Sequence, residues 1–98
     1  MGRQKQILVI GFGKDHCSLG AYQSAYKIGL EIAKRSGILL TGGLGGVMEA
    51  ASRGAKEAGG LVVGIIPQDN KADANSYCDV VIATGIGLAR DFITAYSA

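Results

Sequence analysis

Sixteen of the 98 residues are glycine, against a single proline, Pro67. Where those glycines fall constrains the fold more than any other feature. Gln6–Gly11 (QILVIG), Ile38–Thr41 (ILLT), Leu61–Ile66 (LVVGII) and Val80–Thr84 (VVIAT) are short apolar runs without polar alternation. That is the pattern of strands buried on both faces of a parallel sheet. Three of these runs pass straight into glycine turns: Gly11-Phe12-Gly13, then Thr41-Gly42-Gly43-Leu44-Gly45-Gly46, then Thr84-Gly85-Ile86-Gly87.

The segments between the runs carry helical periodicity. Tyr22, Ala25, Tyr26, Gly29, Ile32 and Ala33 form one stripe within 19–35, with Ser18 placed to cap its start and Gly37 after its end. Val47, Met48, Ala51, Ala55 and Ala58 form a second stripe that Gly59-Gly60 stops, and a third helix is expected from Leu88 onward. The order β-α-β-α-β-loop-β-α predicts an α/β, Rossmann-like parallel sheet with right-handed crossovers. The polar stretch 67–79 (PQDNKADANSYCD) reads as an open connection that carries the chain to the far side of the first strand. The expected strand order is therefore 3-2-1-4, with a ligand-binding switch point between strands one and four. With two helices on one face and one on the other, the second face is expected to stay largely bare, an arrangement that favours a partner.

Composition narrows the function. Ten Lys/Arg against eight Asp/Glu give a net charge of +2, too balanced for nucleic-acid binding through charge. No apolar run approaches the ~18 residues of a membrane span, and the apolar Ile7–Ile10 run is too short for a signal-peptide core. Cys17 and Cys78 stand alone without metal-ligand spacing, so neither a metal site nor a disulfide framework is expected. Reduced thiols in the cytoplasm are the simplest account.

The glycine turns carry the candidate chemistry. At the carboxyl ends of parallel strands, glycine lets the backbone approach a ligand, and the following helix directs N–H groups at an anion. Gly11, Gly13, Gly42, Gly43, Gly45, Gly46, Gly85 and Gly87 are the candidate binding positions. A tight strand–helix turn needed only for packing is the plainer reading of Gly42–Gly46. GxGxxG fails because His16 and Met48 stand where glycine is required, and no GxxxxGK[ST] occurs. Arg90, in the first turn of the third helix, opposes the helix dipole, a position that suits an anion-binding guanidinium. Its plainer reading is a surface arginine, or one paired with Asp91 or Asp79. Lys14 is within reach of the same edge. His16-Cys17 lacks a third orienting group, Asp69, Asp73 and Asp79 read as solubilising carboxylates, and Tyr22 and Tyr26 as packing residues.

The run Thr41-Gly42-Gly43-Leu44-Gly45-Gly46-Val47-Met48-Glu49-Ala50-Ala51, then Gly54-Ala55-Lys56, Gly59-Gly60 and Val63-Gly64-Ile65-Ile66-Pro67, resembles the lonely-guy-type Rossmann family, whose members carry a historical lysine decarboxylase label. Ala74–Asp79 and Thr84-Gly85-Ile86-Gly87-Leu88-Ala89-Arg90 look most like its molybdenum-cofactor carrier branch. The resemblance covers Ile7 to Ala98. It implies a fold that binds a phosphorylated or nucleotide-like ligand, in dimers or higher oligomers, with no nucleic acid and no membrane involved. Arg90 matches the arginine that the family's phosphoribohydrolases use at the phosphoribosyl group, and its tentative catalytic role rests on that match. Lysine decarboxylation is not implied.

The family's second glycine motif and its glutamate would follow Ala98, so residues 1–98 are expected to form a single, incomplete domain carrying half of a site. Gly87-Leu88-Ala89-Arg90 also lacks the histidine of the hydrolases' Met-His-x-Arg pattern. The leading expectation is therefore a binding or carrier protein for the molybdenum cofactor or a nucleoside monophosphate. The alternatives are a half-domain that completes its sheet by oligomerisation, and a nucleoside 5′-monophosphate phosphoribohydrolase.

Overall fold

The computed structural model describes residues 4–97, apart from the side chains of Leu88, Asp91 and Phe92. Its elements are β1 (Gln6–Val9), α1 (Leu19–Lys34), β2 (Ile38–Thr41), α2 (Val47–Glu57), β3 (Leu61–Ile66), β4 (Val80–Ala83) and α3 (Arg90–Ser97), with short 3-10 turns at Lys14–His16, Lys71–Asp73 and Gly87–Ala89. The α/β class and the element order match the sequence reading. Ser18 caps α1 as expected, its hydroxyl accepting from the Ala21 N–H at 3.1 Å. Both long helices end in the same way. After α2, the Gly59 and Gly60 N–H groups donate back to the Lys56 and Ala55 carbonyls. After α1, Ser36 and Gly37 do so to Ala33 and Ile32. The left-handed residue at the α1 end is Ser36 (φ 61°) rather than Gly37.

The expected strand order 3-2-1-4 is not formed. All pairings are parallel and the order is β1-β2-β3-β4. β4 pairs with β3 from Val63↔Val80 to Ile66↔Ala83, so β1 and β4 lie at opposite edges and no switch point joins them. The cause is the 67–79 connection, which docks rather than crossing the sheet edge. The Asn75 N–H donates to the Gly43 carbonyl at 2.8 Å, and its side-chain Nδ2 to the Leu44 carbonyl at 2.9 Å. Asp79 then clamps the start of β3: its N–H donates to the Val62 carbonyl at 2.9 Å and its Oδ2 accepts from the Val62 N–H at 2.8 Å. Its Oδ1 meets Lys56 Nζ of α2 at 2.7 Å. A carboxylate that reads as solubilising thus sets the position of β4.

Register and pleat divide the strand residues between two faces. Ile7, Val9, Leu39, Thr41, Val62, Gly64 and Ile66 face α1, α2 and the 67–79 connection. There the core forms: Leu39 and Val62 pack with Ala25, Ile32, Val47, Ala50, Ala51 and Ala55. Leu40 and Ile65 point to the second face, where α3 packs against β1 and β3, and both are buried. Leu61, Val80 and Ile82 of that face remain 41–45% exposed. The uneven cover expected from the sequence is therefore present.

Two glycines let α1 and α2 touch backbone to backbone. A Cβ on Gly29 would overlap the Ala51 carbonyl, and one on Gly54 the Tyr26 carbonyl. Gly20, near the start of α1, has nothing within 4 Å. Gly29→Ala should therefore lower stability by about 1–3 kcal/mol, the overlap outweighing helix propensity. Gly20→Ala should instead raise it, by up to about 1 kcal/mol. Urea unfolding of the two variants checks both signs.

Cys78 lies over Gly64, whose Cβ would stand 2.6 Å from its Sγ. Burial pushes the Cys78 thiol up from 9.0 to about 11, with Asp79 adding to the rise and a hydrogen bond from Ser52 opposing it. Between those values the unfolded chain releases a proton that the folded chain keeps. Cys78's contribution is thus fully present below pH 9.0 and lost as pH rises through about 11. Comparing urea unfolding of the wild type with Cys78→Ala from pH 8 upward should show the wild type losing ground across that window.

Candidate functional site

The strand ends on the β1–β2 side of the sheet enclose a cleft of about 580 Å³ lined by Ile10, Gly11, Phe12, Gly13, Gly42, Met48, Arg90 and Thr94. It lies at the carboxyl edge, where open α/β sheets take ligands. Arg90 is its only charged side chain among the described lining residues. It enters from α3, on the far face, and is 8% exposed, so it is not a surface arginine; Asp79 pairs with Lys56, and the side chain of Asp91, the other partner expected for Arg90, lies outside the described residues. Its Nη1 donates to the Ile65 carbonyl at 3.2 Å, and its own carbonyl accepts from the Thr94 hydroxyl at 2.9 Å. Gly42 makes room for it: a Cβ there would overlap Arg90 Nη1 and stand 2.5 Å from Met48 Sδ.

The β2–α2 turn is built from inside. The buried Thr41 hydroxyl accepts from the Gly43 N–H at 2.7 Å, closing a side-chain turn. Gly43 has φ 76°, and its Cβ would press on Ile66 at 2.5 Å. Gly46 has φ 67°, and a Cβ there would meet the Phe12 carbonyl oxygen at 2.5 Å. That approach lets the Val47 N–H donate to the Phe12 carbonyl at 3.0 Å. The first N–H of α2 thus holds the neighbouring turn rather than pointing at a ligand. Gly45 lies against Lys14: a Cβ there would stand 3.1 Å from that of the lysine.

Of the sequence-derived positions, the structure brings Gly11, Gly13, Gly42 and Arg90 to one cleft. Gly43, Gly45 and Gly46 shape the turns behind it. Gly85 and Gly87 lie elsewhere, their N–H groups donating to the Gln68 and Pro67 carbonyls at 2.9 and 3.1 Å. Strand spacing accounts for the separation: β4 stands three strands from β1, roughly 14 Å away. Lys14 and Cys17 line a separate shallow depression with Ser18, Leu19, Tyr22, Gly46 and Glu49. Among the described residues, no group of three or more His, Cys, Asp or Glu could hold a metal, and no helix is long and apolar enough to cross a membrane.

Sequence reasoning missed Ile10, Phe12, Met48 and Thr94 in the cleft, and Thr41 and Asn75 behind it. Asn75 had a signal, an amide within a polar stretch beside small residues. Met48 and Thr94 had none beyond helical spacing. A larger depression of about 760 Å³, lined by residues such as Lys5, Ile7, Ile28 and Arg35, lies at the amino ends of the strands, away from the glycine turns.

The SLOG cluster4 family profile matches residues 4–98. An uncharacterized protein of Archaeoglobus fulgidus is 48% identical over 92 residues, covering 94% of this chain and 59% of that protein. The molybdenum cofactor binding protein of Rippkaea orientalis superposes with a TM-score of 0.93 at 41% identity, over 98% of this chain and 59% of its own. The molybdenum cofactor carrier protein of Chlamydomonas reinhardtii gives 0.86 at 41% identity, over 98% and 58%. The chain thus spans 58–59% of the length of these relatives.

Gly42→Ala should force the Arg90 guanidinium off the Ile65 carbonyl and cost about 1–3 kcal/mol. With Arg90→Ala as the second mutation, the double-mutant cycle should be non-additive by at least about 0.5 kcal/mol, since removing the guanidinium relieves the closer of the new methyl's two overlaps and leaves only that with the flexible Met48 side chain. Denaturant unfolding of the four proteins measures the coupling.

Proposed function

The chain belongs to the SLOG cluster4 family, and we propose that its carboxyl-edge cleft binds the phosphate of a nucleotide-like ligand or cofactor, of the kind the molybdenum cofactor represents, as a carrier rather than a catalyst. The observation that carries this reading is Arg90, the one charged side chain among the described lining residues and a buried one, beside the unsubstituted backbone of Gly11, Gly13 and Gly42. A guanidinium in a site of low dielectric holds a phosphate more strongly than one on the surface. The lining suits an organophosphate: a cation, and backbone that a ligand can approach closely. Likeness to proteins described as binding and carrying the molybdenum cofactor supports cofactor binding at the coarse level.

Gly85 and Gly87 remain phosphate-binding candidates only through a ligand extending along the carboxyl edge. Hydrolysis at a ribose C1′ would need a carboxylate brought to the cleft by something other than its described lining residues. In this reading the protein works in the cytoplasm as a homo-oligomer, an arrangement that would also cover exposed apolar residues such as Leu61, Val80 and Ile82.

Phosphorus NMR of AMP with the purified chain tests the site. The AMP signal should shift or broaden on adding the protein, with affinity about tenfold or more weaker for Arg90→Ala. Arg90→Lys, which keeps a cation, should lie between the two and serves if the alanine variant unfolds. An unchanged spectrum with the wild type overturns the reading. A growing ribose 5-phosphate signal would move the protein into the phosphoribohydrolases.

A further inference from the structure

β1 is an edge strand: among the described residues its strand neighbour is β2 alone. In a parallel pair, successive residues turn their main-chain groups to opposite sides. The Lys5 carbonyl accepts from the Ile38 N–H at 2.7 Å, and Ile7 and Val9 share its parity. The N–H and C=O groups of Gln6, Leu8 and Ile10 therefore point outward, away from β2. Edge strands are commonly blunted by lysine, proline or a bulge. Gln6–Val9 (QILV) holds neither residue and pairs with β2 without a break in register. At the opposite edge, β4 has the Lys71–Asp73 turn packed against it. The side chains along β1 are apolar as well. Ile7, Ile28 and Ile10 are 39, 50 and 76% exposed, a concentration of apolar surface at one edge. Ile7, Ile28 and Ile32 line the depression of about 760 Å³ where β1 meets α1. Lys5, Glu31 and Arg35 line it too, so it carries both signs of charge and does not repel a copy of itself.

We propose that β1 pairs antiparallel with β1 of a second copy of this chain, about a two-fold axis beside Leu8, so that two four-stranded sheets become one. The edge is self-complementary. Outward main-chain groups recur at every second residue on both sides of Leu8, and residues directly opposite in an antiparallel pair share a face. Setting Leu8 against the partner subunit's Leu8 therefore sets Gln6 against the partner's Ile10, and Ile7 against the partner's Val9. Apolar residues meet apolar ones at Leu8 and Ile7, which selects this register over its neighbours. The outward groups of Gln6, Leu8 and Ile10 then close about six hydrogen bonds between the copies. An isologous contact of this kind closes at two chains and leaves no β1 edge open. The proposal gives the homo-oligomer reading above a surface, and it stands independently of the anion site.

Sedimentation equilibrium over a series of protein concentrations tests the pairing. The mass of the wild type should rise towards twice the 10.1 kDa of one chain. Gln6→Pro removes an outward N–H and keeps every bond from β1 to β2, so the chain should still fold, as far-UV circular dichroism checks. Its dimer should nonetheless be about tenfold weaker or more. Gln6→Ala keeps the N–H and should dimerise as the wild type does. Leu8→Cys supplies a second measurement that does not depend on the proline. Its Cα would lie about 5.5 Å from its two-fold mate, within reach of a disulfide, so mild oxidation should link two chains. The wild type, with Cys17 and Cys78 alone, should not be linked. A wild type that stays monomeric at every concentration would overturn the edge pairing and the homo-oligomer reading together. A dimer that Gln6→Pro leaves intact, or that Leu8→Cys fails to cross-link, would overturn the edge pairing alone. Loss of that dimer in Ile82→Lys would then assign the contact to the second face.

Discussion

Right-handed crossovers that step in one direction must all pass over the same face of a parallel sheet. Here β1, β2, β3 and β4 follow one another across the sheet, so α1, α2 and the 67–79 connection share one layer. The core is built where that layer meets Leu39 and Val62. Only α3 is left for the second face, where it buries Leu40 and Ile65 and leaves Leu61, Val80 and Ile82 in contact with water. A site between the two layers follows. Arg90 comes from the sparsely covered face, Gly42 and Met48 from the filled one, and they meet at the strand ends.

The glycines serve this arrangement by letting main chain meet main chain. Gly29 and Gly54 bring the two long helices together, and Gly46 brings the two turns together. Gly42 differs, because what fills the space beside it is a guanidinium rather than backbone. A side chain there would not unfold the turn so much as displace the cation from the cleft. The same residue type thus does scaffolding at three positions and leaves room for a charged side chain at the fourth.

Much of this was legible in the chain. The apolar runs fall on the observed strands, and Ser18 caps α1 as the sequence indicates. Arg90 drew attention because a cation in the first turn of a helix works against the dipole, and it does line the cleft. The strand order was not legible. The polar stretch 67–79 shows no period, and its direction is decided by Asn75 bonding the Gly43 and Leu44 carbonyls and by Asp79 bonding the Val62 backbone. Those are long-range contacts of residue types that serve equally well in any solvated loop. Ser36 was missed for a local reason: a left-handed position normally favours glycine, and Gly37 stood next to it.

The sequence by itself determined the α/β class, the strand positions, the glycine-rich carboxyl edge and the presence of one cation at that edge. Each of these follows from periodicity and backbone freedom, which act over a few residues. Tertiary structure alone decided which edge β4 joins, which glycines share a cleft, and that Ile10, Phe12 and Met48 line that cleft with Arg90. Those outcomes depend on where main-chain hydrogen bonds between distant segments close. No local pattern encodes a bond between Asn75 and Gly43, or between Phe12 and Val47, until the sheet has brought them together.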